Sequence, residues 1–253
     1  MIWHALRLCV GVLVLLVGHS ATALADKRVA LLIGNSAYEA LAPLKTPAGN
    51  VGALEQAFTK AGFDKVVTGL DLKHDDLIKK LRAFEEEAAD ANIAVLYFSG
   101  HGVEHGDGDF IVPTDARLAS EQDVEDEAVS IERLLRAIDG AKTLKLLILD
   151  TSRDNRMDAA TRKRPSCCSL PRVESPYIDT LILYATKVGS LAMEGDGSVD
   201  PYTRALVSDL FEPGLDLRLA AGKVRDDVIA VTQRRQEPFA YGSLSGGNIV
   251  LAK

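Results

Sequence analysis

Apolar residues run without a break from Val29 to Ile33 and stop at Gly34-Asn35, the pattern of a strand buried on both faces and closed by turn residues. The spacing then changes to that of a helix. Leu54, Ala57, Phe58 and Ala61 share one face of Val51 to Ala61, with Gly62 as the stop. Lys65-Val66-Val67 predicts a second strand. From about Asp75 to Ala89, Leu77, Ile78, Leu81, Phe84 and Ala88 recur at core spacing, and Glu85-Glu86-Glu87 turn toward water. A third strand, Ile93 to Tyr97, ends at Ser99, and Phe110-Ile111-Val112-Pro113 reads as a short extended return. Ser120 to Glu127 reads as an acidic loop. A helix follows over Ile131 to Ile138, with Leu134, Leu135 and Ile138 inward, and Leu146 to Leu149 forms a fourth strand.

Strands alternating with helices predict an α/β fold with a mostly parallel sheet covered on both faces. From Asn155 to Pro176 the periodicity disappears into Arg, Lys, Pro, Ser and Cys, the composition of a linker or exposed loop. Order resumes with a fifth strand, Thr180 to Tyr184, then helices over Thr203 to Phe211 and Leu217 to Thr232, and a last strand, Asn248 to Leu251. No internal repeat is visible. The expected organisation is one domain over 26–253, with a larger part (26–160), a linker (161–178) and a smaller part (179–253) of one sheet.

The first 25 residues are set apart from the fold. Arg7 gives a basic start, Leu8 to Val17 an apolar run, and Ala23-Leu24-Ala25 a small-residue cleavage pattern, as in a signal peptide. His19, Ser20 and Thr22 interrupt the apolar run before it is long enough to span a bilayer, so no stable membrane span is expected after signal removal. The expected location is periplasmic or secreted, with a mature chain beginning at Asp26. An uncleaved anchor is the alternative. Loss of Arg7 moves the formal charge from −7 to −8, which argues against nucleic acid or anionic membrane as a partner. Cys9 leaves with the signal, and adjacent Cys167 and Cys168 cannot form a stapled framework.

Candidate chemistry lies at two strand ends, Phe98-Ser99-Gly100-His101-Gly102 and Leu149-Asp150-Thr151-Ser152-Arg153-Asp154-Asn155. His101 and Ser152 are fifty-one positions apart and fall at the carboxyl edge of the sheet, where open α/β folds place their ligand crevice. A base facing a nucleophile there is the minimum for covalent acyl transfer, and the glycines flanking His101 let a peptide backbone approach. No separate carboxylate is evident in the sequence to orient His101.

These two segments, with the opening strand Leu31-Leu32-Ile33-Gly34-Asn35, Tyr184-Ala185-Thr186 followed by Gly189-Ser190, and Pro201-Tyr202-Thr203-Arg204-Ala205-Leu206, together resemble the caspase-like peptidase superfamily, close to its bacterial metacaspase or orthocaspase group. The resemblance implies a three-layer sandwich built on a mostly parallel sheet of about six strands with helices on both faces. It also implies peptide or protein ligands, His101 as general base, and residue 152 as the attacking group. Two departures stand out. Serine occupies the place of the nucleophilic cysteine, and a hydroxyl ionises far less readily than a thiol. Asn50, in Leu44-Lys45-Thr46-Pro47-Ala48-Gly49-Asn50-Val51, stands where the resemblance implies an aspartate of an acidic pocket for arginine or lysine. Asp150 is then the carboxylate left to hold a basic side chain. The preferred expectation is an inactive or strongly impaired peptidase domain kept for binding. The alternative is an endopeptidase cutting after basic residues through His101 and Ser152, or with a loop cysteine as substitute.

Other polar groups fit simpler readings. Glu194, Asp196 and Asp200, and Asp107 with Asp109, offer oxygens of the kind calcium takes. Solvated loops are the preferred account, and no metal or cofactor is expected. His74 and His105 read as surface residues. Arg162-Lys163-Arg164 reads as a solvated loop, or as a cleavage site for a peptidase with basic specificity.

Overall fold

The computed structural model describes residues 26–106, 108–152, 178–187 and 192–252. The signal-like segment, the Arg162-Lys163-Arg164 stretch, Cys167 and Cys168 lie outside them. In chain order the elements are β1 (Arg28–Gly34), α1 (Pro47–Lys60), β2 (Lys65–Leu70), α2 (His74–Ala89), β3 (Ile93–His105), β4 (Gly108–Ile111), α3 (Glu121–Glu127), β5 (Val129–Ser130), α4 (Ile131–Ile138), β6 (Leu144–Ser152), β7 (Thr180–Tyr184), α5 (Pro201–Asp209), α6 (Leu217–Val231) and β8 (Phe239–Ser243). The main sheet runs β2-β1-β3-β6-β7-β8. Its pairings are parallel except that of β7 with β8.

Alternate residues along the strands feed two separate cores. Ala30, Leu32, Val95, Tyr97, Leu146 and Ile148 pack against α1, α5 and α6 on one face. Val29, Leu31, Leu96, Phe98, Leu147 and Leu149 pack against α2 and α4 on the other. Burial on both faces is why these strands are uniformly apolar in sequence. A buried Leu or Ile of this kind contributes about 2 kcal/mol, so the two layers supply most of the drive to fold.

Strand order reverses between β1 and β3, since β2 lies on one side of β1 and all later strands on the other. That reversal opens a crevice at the carboxyl edge. The loop after β1, the first turn of α1 and the ends of β3 and β6 converge there.

Several boundaries differ from expectation. α1 starts at Pro47, a turn before the apolar spacing becomes visible, because proline suits the first turn of a helix where its missing N–H costs nothing. The expected acidic loop holds α3, closed by a reciprocal cap between Ser120 and Asp123. Only Val124 of that helix is buried, so there is no apolar stripe to detect. β3 continues through the glycines to His105 because Gly102 to His105 pair antiparallel with β4. Asn248 to Leu251 is not a strand. The edge position belongs to β8, while Ile249 and Leu251 are buried in the α1/α6 layer. Leu217 N–H donates to the Ile249 carbonyl at 2.8 Å, and the Arg28 guanidinium donates to that of Leu251. No helix among the described residues is long and apolar enough to cross a membrane.

Candidate active site

β3 and β6 are parallel neighbours, and their register pairs Ser99 with Asp150, Gly100 with Thr151 and His101 with Ser152. Neighbouring strands lie about 4.8 Å apart, so the backbone sets residue 152 directly beside His101. The two sequence motifs are therefore adjoining parts of the sheet itself.

The loop between β1 and α1 orients the half-buried His101. Its backbone N–H donates to the Tyr38 hydroxyl at 2.8 Å, and the two rings meet at a tilt with centroids 4.6 Å apart. A β-carbon at Gly100 would lie 2.6 Å from that hydroxyl, so glycine is needed beside the histidine. The imidazole Nε2 is 2.8 Å from the Ala42 carbonyl. A carbonyl only accepts, so this contact assigns the proton to Nε2 and leaves Nδ1 as the basic nitrogen. The orienting group is thus main-chain rather than a carboxylate. Asp71 pins the loop by accepting from the N–H groups of Ser36 and Ala37 at 2.7 and 2.8 Å. Asn35 ties its start to Leu72 and Val112. Burial pushes the ionisation of the Tyr38 phenol upward, so this clamp stays neutral.

Deeper in the crevice lies a cluster of buried polar groups. Asn50, Asp150 and Asp200 are only 0%, 6% and 4% exposed. The Asn50 amide donates to Ser99 Oγ and Asp150 Oδ2, each at 3.2 Å, and to Asp200 Oδ2. Its carbonyl accepts from the Asp200 backbone N–H at 3.1 Å. Asp150 Oδ2 also takes hydrogen bonds from Tyr97 at 2.8 Å and Thr203 at 3.3 Å. Burial, reinforced by Asp200, pushes the Asp150 carboxyl well above the usual range.

The cluster opens on a small cleft whose lining includes Asp150, Asp200 and Glu194 beside Leu44, Pro47 and Met193. Glu194 joins the walls by accepting from the Lys45 N–H at 2.6 Å. Close approach of α1 to the facing loop is also enforced at Gly49, where a β-carbon would meet the Ser198 carbonyl at 1.9 Å.

The strand register thus sets residue 152 beside His101, while Asn50, Asp150 and Asp200 form one buried cluster next to them. Asp200 does not stand in a solvated loop: it caps α5, accepting from the Thr203 N–H at 2.7 Å. An aspartate directly before Pro201 is a helix-start signal that locates this residue from sequence. Tyr97 reads as core only, Tyr38 as a loop aromatic, and the Ala42 carbonyl has no side-chain signature at all. Asp109 is buried on β4 and Asp107 lies outside the described residues; among the described residues no three His, Cys, Asp or Glu side chains converge to hold a metal. His105 sits 3.7 Å from Glu125, and His74 3.5 Å from Asp75.

The chain is thus a mostly parallel α/β sheet with a carbonyl-held histidine beside a serine at its carboxyl edge. The family Peptidase_C14 (Caspase domain) matches residues 27–246, and the chain belongs to that family. Mucosa-associated lymphoid tissue lymphoma translocation protein 1 of Homo sapiens and its homolog in Mus musculus are each 30% identical to the chain over 131 residues. That match covers 51% of this chain and 15% of either relative, so the chain spans a small part of their length. The solved structure of pro-sf-caspase-1 superposes with a TM-score of 0.66 at 16% identity, covering 90% of this chain and 92% of that one. The caspase-like sheet and layers are thereby shared.

Proposed function

We propose that this caspase-family domain is a metacaspase-like pseudopeptidase, which binds peptides through a basic side chain in the Asp150 cleft and does not cut them. The observation carrying this reading is a cleft lined by two buried acids close to a histidine whose strand partner is a serine. Among the described residues no basic side chain pairs with Asp150 or Asp200. His101, by contrast, has an arrangement suited to thiol chemistry. A thiolate and imidazolium stabilise one another without further help, whereas a serine hydroxyl relies on a carboxylate behind the histidine. Here the group behind it is the neutral Ala42 carbonyl.

Calorimetry on the mature chain tests the reading with a hexapeptide carrying one central arginine. Binding is expected, at least about tenfold tighter than for the norleucine analogue, since a charge-assisted contact is lost. Mass spectrometry of the same mixture should show the peptide intact. Cleavage that disappears in Ser152→Ala would instead establish the active His101 and Ser152 endopeptidase.

We also place the protein outside the cytoplasm, in the periplasm or beyond, on the basic, apolar and small-residue pattern of residues 1–25. N-terminal sequencing of the exported protein is expected to begin at Asp26. Retention of Met1 overturns that assignment.

A further inference from the structure

We infer that Asp200 supplies the second negative charge of the basic-ligand site, with the Asn50 amide as the neutral bridge that holds it beside Asp150. The inference rests on the pocket reading above and adds a specificity-determining residue to it. Asp200 and Asp150 come from different parts of the chain, the start of α5 and the end of β6, yet one amide donates to an oxygen of each. Both carboxylates line the same cleft. Two buried acids held this close are costly without a cation, because like charges repel strongly where water is excluded. The hydrogen bonds of Tyr97, Thr203 and Asn50 offset part of that cost. A proton held by Asp150 offsets the rest in the empty cleft, and a ligand cation can take its place.

Asp150 also keeps an acceptor for that cation. Its Oδ2 carries the internal hydrogen bonds, while Oδ1 takes none among the described residues. Asp200 uses Oδ1 to cap α5 and Oδ2 to meet Asn50 and the Thr203 hydroxyl, and a carboxylate retains a lone pair beyond three such bonds. A planar amidinium or guanidinium in the cleft therefore meets one carboxylate with an oxygen that no described residue engages as a donor, and the field of a second.

Capping and charge are separable by substitution. Asparagine caps a helix about as well as aspartate, so Asp200→Asn removes the charge and keeps the α5 cap. The Asn50 amide touches the Asp200 carboxylate, so exchanging the two side chains returns a charge to within a hydrogen-bond length of its original place. Benzamidine is the probe, with affinity measured by calorimetry and folding checked by thermal melting. Asp200→Asn is expected to weaken binding about ten- to a hundredfold, the worth of one charge-assisted contact. The exchanged variant, Asn50→Asp with Asp200→Asn, is expected to recover to within about threefold of the parent chain. Unchanged affinity in Asp200→Asn overturns the inference, as does a loss that the exchange fails to restore. If the folded parent chain binds no benzamidine at all, the pocket reading itself falls, and the inference with it.

Discussion

Replacing Ser152 with cysteine is expected to confer cleavage of arginine-containing peptides, raising kcat/KM by about a thousandfold or more over the parent chain. The register of β3 and β6 already sets residue 152 beside His101. The Ala42 contact occupies Nε2 and leaves Nδ1 as the nitrogen that can take a thiol proton. A thiol, with an unperturbed pKa of about 8.5, needs only that neighbour to become a nucleophile. Release of a fluorophore placed after arginine measures the gain. Adding His101→Ala should abolish it. A Ser152→Cys chain that still binds the peptide but never cleaves it would show that more than the thiol is missing.

The cluster geometry also decides which companion substitution to avoid. Asn50→Asp, alone with Ser152→Cys, is attractive if Asp150 is taken as the sole pocket acid. With Asp200 present it would set three carboxylates together and replace an amide that donates to Ser99, Asp150 and Asp200 with a group that only accepts. Breaking a buried charged network of this kind costs about 3 kcal/mol or more. The charge is better moved than added.

What the sequence makes legible follows the physics of each element. Strands buried on both faces must be apolar throughout, so β1, β3, β6 and β7 are visible as runs, and α4 shows its full extent because one face is wholly apolar. α3 is held by its cap and its acidic first turn, which leave no periodic trace. Ile249 and Leu251 alternate like a strand but are buried by the Arg28 and Asp216 contacts instead. The same division holds at the site. His101, Ser152, Asp150 and Asn50 lie in segments of recognisable composition. Asp200 comes 150 residues after Asn50, and the chain alone does not show that the two touch.

The acid cluster also makes stability depend on pH in the reverse of the usual carboxylate sense. A free aspartate has a pKa of about 3.9, and burial with Asp200 alongside raises that of Asp150 well above its ordinary value. Between those two points the folded chain holds a proton that the unfolded chain has released. Stability therefore falls as pH rises from about 4 through the folded pKa, by about 1.4 kcal/mol per pH unit, and is level above it. Asp150→Asn mimics the protonated acid in shape and keeps an acceptor for Tyr97, but it cannot titrate. In urea unfolding from pH 4 to pH 9, the variant is expected to match the parent chain at the acid end and to exceed it increasingly toward the alkaline end. The difference between the two curves isolates Asp150 from the other carboxylates. A basic ligand reverses the balance, because it favours the ionised acid and displaces its proton. Benzamidine affinity for the parent chain should therefore rise with pH over the same window, and Asp150→Asn should lose about a hundredfold or more at pH 8, where a buried charge pair is removed. Parallel unfolding curves together with a pH-independent affinity would show that Asp150 is already ionised in the empty cleft.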